Sequence, residues 1–157
     1  MNESKLNPGD LAPDFTLTSD AEAPVHLSEF RGKKVLLYFY PKAGTPGCTQ
    51  QACALRDLHP EVTEKGVVVI GISPDTPEAL RRFRQKYDLP FVLLSDPERE
   101  VARLYGAWGE RSLYGRVFSG ILRSHVAVDA EGRIVEYDLK VKPLETADAA
   151  RRLAGQH

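Results

Sequence analysis

An α/β sandwich is the architecture the sequence predicts. Apolar strand-like runs alternate with helical stretches, no internal repeat or long polar linker breaks the alternation, and 157 residues are enough to bury one core. A single domain spanning residues 1–157 is therefore expected.

Residues 35–40 (Val-Leu-Leu-Tyr-Phe-Tyr) and 67–72 (Val-Val-Val-Ile-Gly-Ile) are short, continuous apolar runs rich in β-branched and aromatic side chains. Such runs suit strands covered on both faces. Residues 91–94 form a third run, and residues 125–128 and 134–137, joined through Asp129-Ala-Glu-Gly-Arg133, read as the arms of a hairpin. Between the first three runs lie helices. One opens at Asp75-Thr76-Pro77, where Thr76 can cap and Pro77 suits the first helical position, and Leu80, Phe83 and Tyr87 form its apolar stripe. Residues 98–105, stopped by Gly106, and residues 145–153 read as two more.

Charge narrows the range of partners. The chain has 21 basic and 22 acidic residues, so it lacks the broad positive field that favours nucleic acid or anionic membranes. The basic run Arg81-Arg82-Phe83-Arg84-Gln85-Lys86 surrounds a single apolar position and reads as the solvated face of a helix. No segment approaches the roughly 18 apolar residues of a membrane span, and residues 1–10 show no basic segment followed by an apolar one. The expected location is the cytoplasm, with a small neutral substrate. Two cysteines five positions apart are too few for a secreted disulfide scaffold, and in a reducing compartment such a pair points to catalysis or metal binding.

The chemistry concentrates in Tyr40-Pro-Lys-Ala-Gly-Thr-Pro-Gly-Cys-Thr-Gln-Gln-Ala-Cys-Ala-Leu-Arg-Asp57. Two prolines and two glycines force a loop where a buried strand stops. Beyond Gly47 the pattern turns helical, with Cys48, Ala52 and Leu55 on one face, so Cys48 falls in the first turn. There the free N–H groups and the positive end of the helix dipole favour a thiolate, the nucleophilic form. Cys53 falls among Thr49, Gln50, Arg56 and Asp57 on the polar face, where an exposed structural thiol would be an oxidation hazard, and a redox partner for Cys48 is the better explanation. His26, His59, His125 and His157 share no ligand spacing with the cysteines, which argues against zinc. The spacing also differs from Cys-x-x-Cys, so the redox cycle is not that of a thioredoxin-like dithiol.

These residues resemble the peroxiredoxins, and within them the bacterioferritin comigratory protein or PrxQ subgroup. The resemblance runs over nearly the whole chain, through Pro8-Gly9-Asp10, Ala12-Pro13-Asp14-Phe15, Pro41 with Thr45-Pro-Gly-Cys48-Thr49, Leu94-Ser95-Asp96, Trp108-Gly109-Glu110 and Gly120-Ile-Leu-Arg123-Ser124. It implies one thioredoxin-like domain of the AhpC/TSA type, a central mixed β-sheet flanked by helices. It implies a thiol-dependent peroxidase of antioxidant defence, acting on hydrogen peroxide and organic hydroperoxides without metal or other cofactor. Cys48 would be the peroxidatic and Cys53 the resolving cysteine of one intramolecular disulfide, reduced by thioredoxin or a similar dithiol protein. Pro41 would shield the nucleophile, Thr45 hold the peroxide and Arg123 stabilise the thiolate, with Thr45, Arg123 and Gly47 forming the substrate site. A monomer is expected, with neither nucleic acid nor membrane as partner.

The sequence departs from that pattern at Gln51, where many relatives carry Glu, and at Ala43, where an acidic residue is common; neither is expected to touch the nucleophile. Pro60 is expected to kink the helix after Cys48 or end it near His59, since proline removes a donor and crowds the preceding turn. Capping competes with peroxide binding as the role of Thr45, as does strand termination with shielding for Pro41. Arg123 could instead belong to a surface ion pair. A disulfide-shuffling oxidoreductase and a redox-sensing binding module use similar cysteines, and multiple turnover with peroxide separates them from a peroxidase.

Overall fold

The computed structural model describes residues 6–156, arranged as a seven-stranded mixed sheet with helices against both faces and a separate two-stranded hairpin. The chain runs through β1 (Thr16–Ser19), β2 (Pro24–His26), a 3-10 turn (Leu27–Phe30), β3 (Lys34–Phe39), α1 (Pro46–Glu64), β4 (Val67–Ser73), α2 (Pro77–Tyr87) and β5 (Val92–Ser95). It continues through α3 (Glu100–Leu104), β6 (Trp108–Leu113), β7 (Arg116–Ile121), β8 (Ser124–Val128), β9 (Ile134–Asp138) and α4 (Glu145–Ala154). The strand order is β2-β1-β5-β4-β3-β8-β9. β3, β4 and β5 are parallel, and β8 and β1 add to them in the antiparallel sense, which makes the sheet mixed as expected.

The continuous apolar runs behave as their composition predicts. Along β3 and into Tyr40, Leu36, Tyr38 and Tyr40 enter the core beneath α1, α2 and α4, while Val35, Leu37 and Phe39 enter the opposite core against Val101 and Tyr105 of the α3 segment. Alternate side chains point to opposite faces, so burial on both faces demands an unbroken apolar run. Gly71, paired with Tyr38 in the ladder, gives the Tyr38 ring its room: a Cβ there would lie 2.9 Å from ring atoms. The predicted hairpin forms as β8 and β9, with a register shift between Ala127 and Val128.

The helices follow their sequence signals with two corrections. Thr76 caps α2 by accepting the Ala79 N–H at 3.2 Å, with Pro77 at the first helical position. The helix expected from residue 98 begins only at Glu100, because Arg99 takes a left-handed conformation at φ 58° and Asp96 accepts the Ala102 N–H at 2.9 Å. Pro60 does not end α1: the helix runs through it to Glu64. Its buried face carries on past the proline, with Leu55, Leu58 and Val62 all in one core, and that packing outweighs the lost hydrogen bond. The basic run on α2 is partly structural. Arg84 grips buried Asp20 through two hydrogen bonds of 2.6 and 3.0 Å and donates to the Leu89 carbonyl, while Arg82 pairs with Glu78 at the surface.

Sequence reading did not resolve β1, β2 or the β6–β7 hairpin. That hairpin turns at Tyr114 and Gly115, both at positive φ, as a two-residue loop with the handedness of the strand twist requires. At its base Arg103 lies over the Trp108 ring, 4.7 Å from the centroid. The hairpin returns the chain directly into Leu122 and Arg123, so it fixes where the arginine enters the site.

Candidate active site

Thr45 precedes α1, and Pro46, Gly47 and Cys48 form its first turn. Cys48 is buried, with its sulfur 3.5 Å from Arg123 Nη2. The sulfur thus lies beside a guanidinium and in a first helical turn whose N–H groups have no intrahelical partner. Gly47 permits this approach: a Cβ at residue 47 would meet Arg123 Nη2 at 2.9 Å. Arg123 therefore belongs to the cysteine site and not to a surface ion pair.

Thr45 does not cap α1 with its side chain. Its hydroxyl donates to the Lys42 carbonyl at 2.8 Å, which leaves the oxygen lone pairs available as acceptors. Pro41 is half-buried just beyond β3. The loop between them is anchored from outside, because Asp75 Oδ2 accepts both the Ala43 N–H at 2.8 Å and the Ser73 hydroxyl at 2.7 Å. Tyr38 and Tyr40 stack beneath Cys48 in the same core, with ring centroids 5.2 Å apart. Burial pushes both phenols up, so they stay neutral. Cys53 stands about 140° out of phase with Cys48 on the intact helix and is half-buried, not exposed as the polar neighbours suggested; both thiols are free.

Sequence reading gave Gln51 no role in the site. It is fully buried and accepts from Arg123 Nη1 at 2.7 Å, so it reaches the nucleophile through the arginine. Its amide nitrogen donates to Thr146 at 2.9 Å, and Thr146 lies 3.0 Å from His125 Nδ1. The one local signal was the i, i+3 spacing of Cys48 and Gln51, since Thr146 and His125 are remote in sequence. His125, Glu136 and Asp138 bring ligand atoms within 4.8 Å of one another. Arg152 already bonds both oxygens of Glu136, at 3.0 and 2.6 Å, so this group is organised by hydrogen bonds. A cavity of about 330 Å³ opens beside Arg123, lined also by Glu110, Arg111, Leu122 and Lys140. No helix among the described residues is long and apolar enough to cross a membrane.

The AhpC/TSA family model matches residues 8–137. The chain is 50% identical over 129 residues to peroxiredoxin Bcp of Escherichia coli K12, covering 82% of this chain and 83% of the relative. Among solved structures it is similar to peroxidoxin BcpB of Mycobacterium tuberculosis, with a TM-score of 0.83, 30% identity, and coverage of 95% of this chain and 96% of that one. It is also similar to the bacterioferritin comigratory protein of Xanthomonas campestris, a structure concerned with alkyl peroxide reduction, with a TM-score of 0.84, 30% identity, and coverage of 96% and 97%.

Proposed function

This chain belongs to the AhpC/TSA family of peroxiredoxins, and on that premise we propose that it is a thiol peroxidase in which Cys48 is the nucleophile and Cys53 resolves it. The observation that carries the reading is the buried Cys48 sulfur 3.5 Å from Arg123 in the first turn of α1. The Cys48 thiolate attacks one oxygen of the peroxide, the O–O bond breaks, and the leaving oxygen departs as water or an alcohol once protonated. Cys48 becomes a sulfenic acid. Arg123 and the helix N-terminus face the atoms where negative charge redistributes, the arrangement that lowers such barriers most. The Thr45 hydroxyl, its proton engaged by Lys42, accepts the O–H of the bound peroxide.

The Cys53 thiol then attacks the Cys48 sulfur, expelling water and forming an intramolecular disulfide. A dithiol protein, thioredoxin in our reading, reduces it by exchange. Both cysteines come from one chain, so a monomer suffices. In this reading the cavity of about 330 Å³ beside Arg123 takes the organic group of an alkyl hydroperoxide. The test is oxidation of reduced thioredoxin by the catalytic protein, with peroxide supplied in excess. Many turnovers that depend on peroxide are expected. Oxidation limited to one equivalent per chain would instead indicate a stoichiometric sensor, and oxidation without peroxide a disulfide shuffler.

A further inference from the structure

Behind Arg123 lies a run of buried polar groups that the peroxidase chemistry leaves unassigned. Gln51 of α1, Thr146 of α4 and His125 of β8 are each at most 1% exposed. Burying three such groups costs free energy unless every donor and acceptor is matched, so their order carries information. Arg123 lies just before β8 and His125 within it, two residues on. Gln51 and Thr146 bridge them from the two helices, closing a ring across three elements.

The proton direction around this ring is set at both ends. A guanidinium only donates, so Gln51 must turn its Oε1 to Arg123, and its Nε2 is left to donate to Thr146. At the other end His125 Nε2 faces two carboxylates, Asp138 at 3.2 Å and Glu136 at 3.4 Å, which only accept when ionised. Arg152 holds Glu136 in that state, since it draws the carboxyl below its ordinary range. The His125 proton then sits on Nε2, and Nδ1 is the acceptor for the Thr146 hydroxyl at 3.0 Å. Every donor points the same way, from Arg123 through Gln51, Thr146 and His125 to Asp138, and each link polarises the next. Tyr38, opposite His125 across the β3–β8 ladder, stays neutral and adds no charge.

We propose that His125 and Thr146 are positioning residues for peroxide reduction, holding Gln51 in the one orientation that aims Arg123 at Cys48. If the Thr146 acceptor is lost, the Gln51 amide has no buried partner for its nitrogen and is free to turn, presenting a donor to a guanidinium that can only repel it. Arg123 then leaves the sulfur. The His125, Glu136 and Asp138 group is on this view the anchor of the ring.

The inference rests on Cys48 being the residue that peroxide attacks, and that reading is tested separately by Cys48→Ser. The first test uses the unmodified reduced protein: long-range proton–nitrogen correlation spectra at neutral pH read the His125 tautomer. A proton on Nε2 with Nδ1 bare is expected, and a proton on Nδ1 overturns the proposal. The second compares Thr146→Val with Thr146→Ser. The valine variant should slow oxidation of Cys48 by peroxide about fivefold or more, the scale of one buried hydrogen bond, and lower the ultraviolet thiolate absorbance, while serine restores both. A folded Thr146→Val protein with unchanged rate and absorbance, or a serine variant as slow as the valine one, removes the relay and leaves the role of Cys48 standing.

Discussion

Closing the Cys48–Cys53 disulfide must unwind the start of α1. Both cysteines lie on one uninterrupted helix, and residues five apart there differ by about 140° in direction and about 7.5 Å in rise, so their Cα atoms are about 8.6 Å apart. A disulfide tolerates at most about 6.8 Å. Helix propagation is itself close to neutral in free energy, so the cost of opening is set by the buried face. Freeing residues 48–56 exposes Leu55 and Ala52, both fully buried, and breaks the two hydrogen bonds of Gln51. Those losses come to about 4–5 kcal/mol. Because about 1.4 kcal/mol corresponds to about 30 mV for a two-electron couple, the disulfide should be on the order of 100 mV easier to reduce than an unstrained one. The same motion removes Cys48 and Gln51 from Arg123, so the oxidised form should bind peroxide poorly and offer its disulfide to a reductant. Hydrogen exchange on the reduced and oxidised proteins reads this directly: residues 49–56 should lose protection on oxidation, while β3 and β4 keep theirs. Equal protection in both forms, with the Cys48–Cys53 bond confirmed by mass, would refute the reasoning.

Arg123→Ala should slow the peroxide step by about 10²–10³, the usual loss when one preorganised donor leaves a site of developing charge, and an unchanged second-order rate constant would exclude it from the chemistry. Gly47→Ala should act in the same direction with every polar group intact, because the new Cβ would fall 2.9 Å from Arg123 Nη2; a wild-type rate would mean the guanidinium yields without leaving the sulfur. Arg152→Met should destabilise the protein at neutral pH by at most about 1 kcal/mol, since Arg152 is half exposed and water screens its pair with Glu136. Glu136 is held below its ordinary value of 4.5, so this contribution is present above that pH and fades as pH falls through the lowered value; the denaturation midpoints of the two proteins should converge in acid.

The legibility of the fold tracks how local its causes are. β3 and β4 were plain because strands buried on both faces must be continuously apolar, and α2 because Thr76 and Pro77 mark its start. The β6–β7 hairpin was missed because residues such as Glu110, Arg111, Arg116 and Ser119 interrupt any apolar alternation along it. Pro60 misled because its cost is a local rule, whereas the benefit of continuing α1 lies in Leu58 and Val62 packing against distant elements. Within the site, Cys48 announced itself through a forced loop followed by a helical pattern. Arg123 lies 75 residues away, and only the family resemblance singled it out among 21 basic residues. Thr146 lies 95 residues beyond Gln51, and no sequence pattern joins a buried threonine to a buried glutamine.

Titration of the reduced protein with peroxide, followed by intact mass, tests the assignment of Cys48 and Cys53 most directly. One equivalent should convert the wild type to a single species two hydrogens lighter, carrying the Cys48–Cys53 bond. Cys53→Ser should gain one or more oxygens at Cys48, and Cys48→Ser should not react on that timescale. Rapid oxidation of Cys48→Ser, or a Cys53→Ser protein that still cycles with thioredoxin as fast as the wild type, would contradict it.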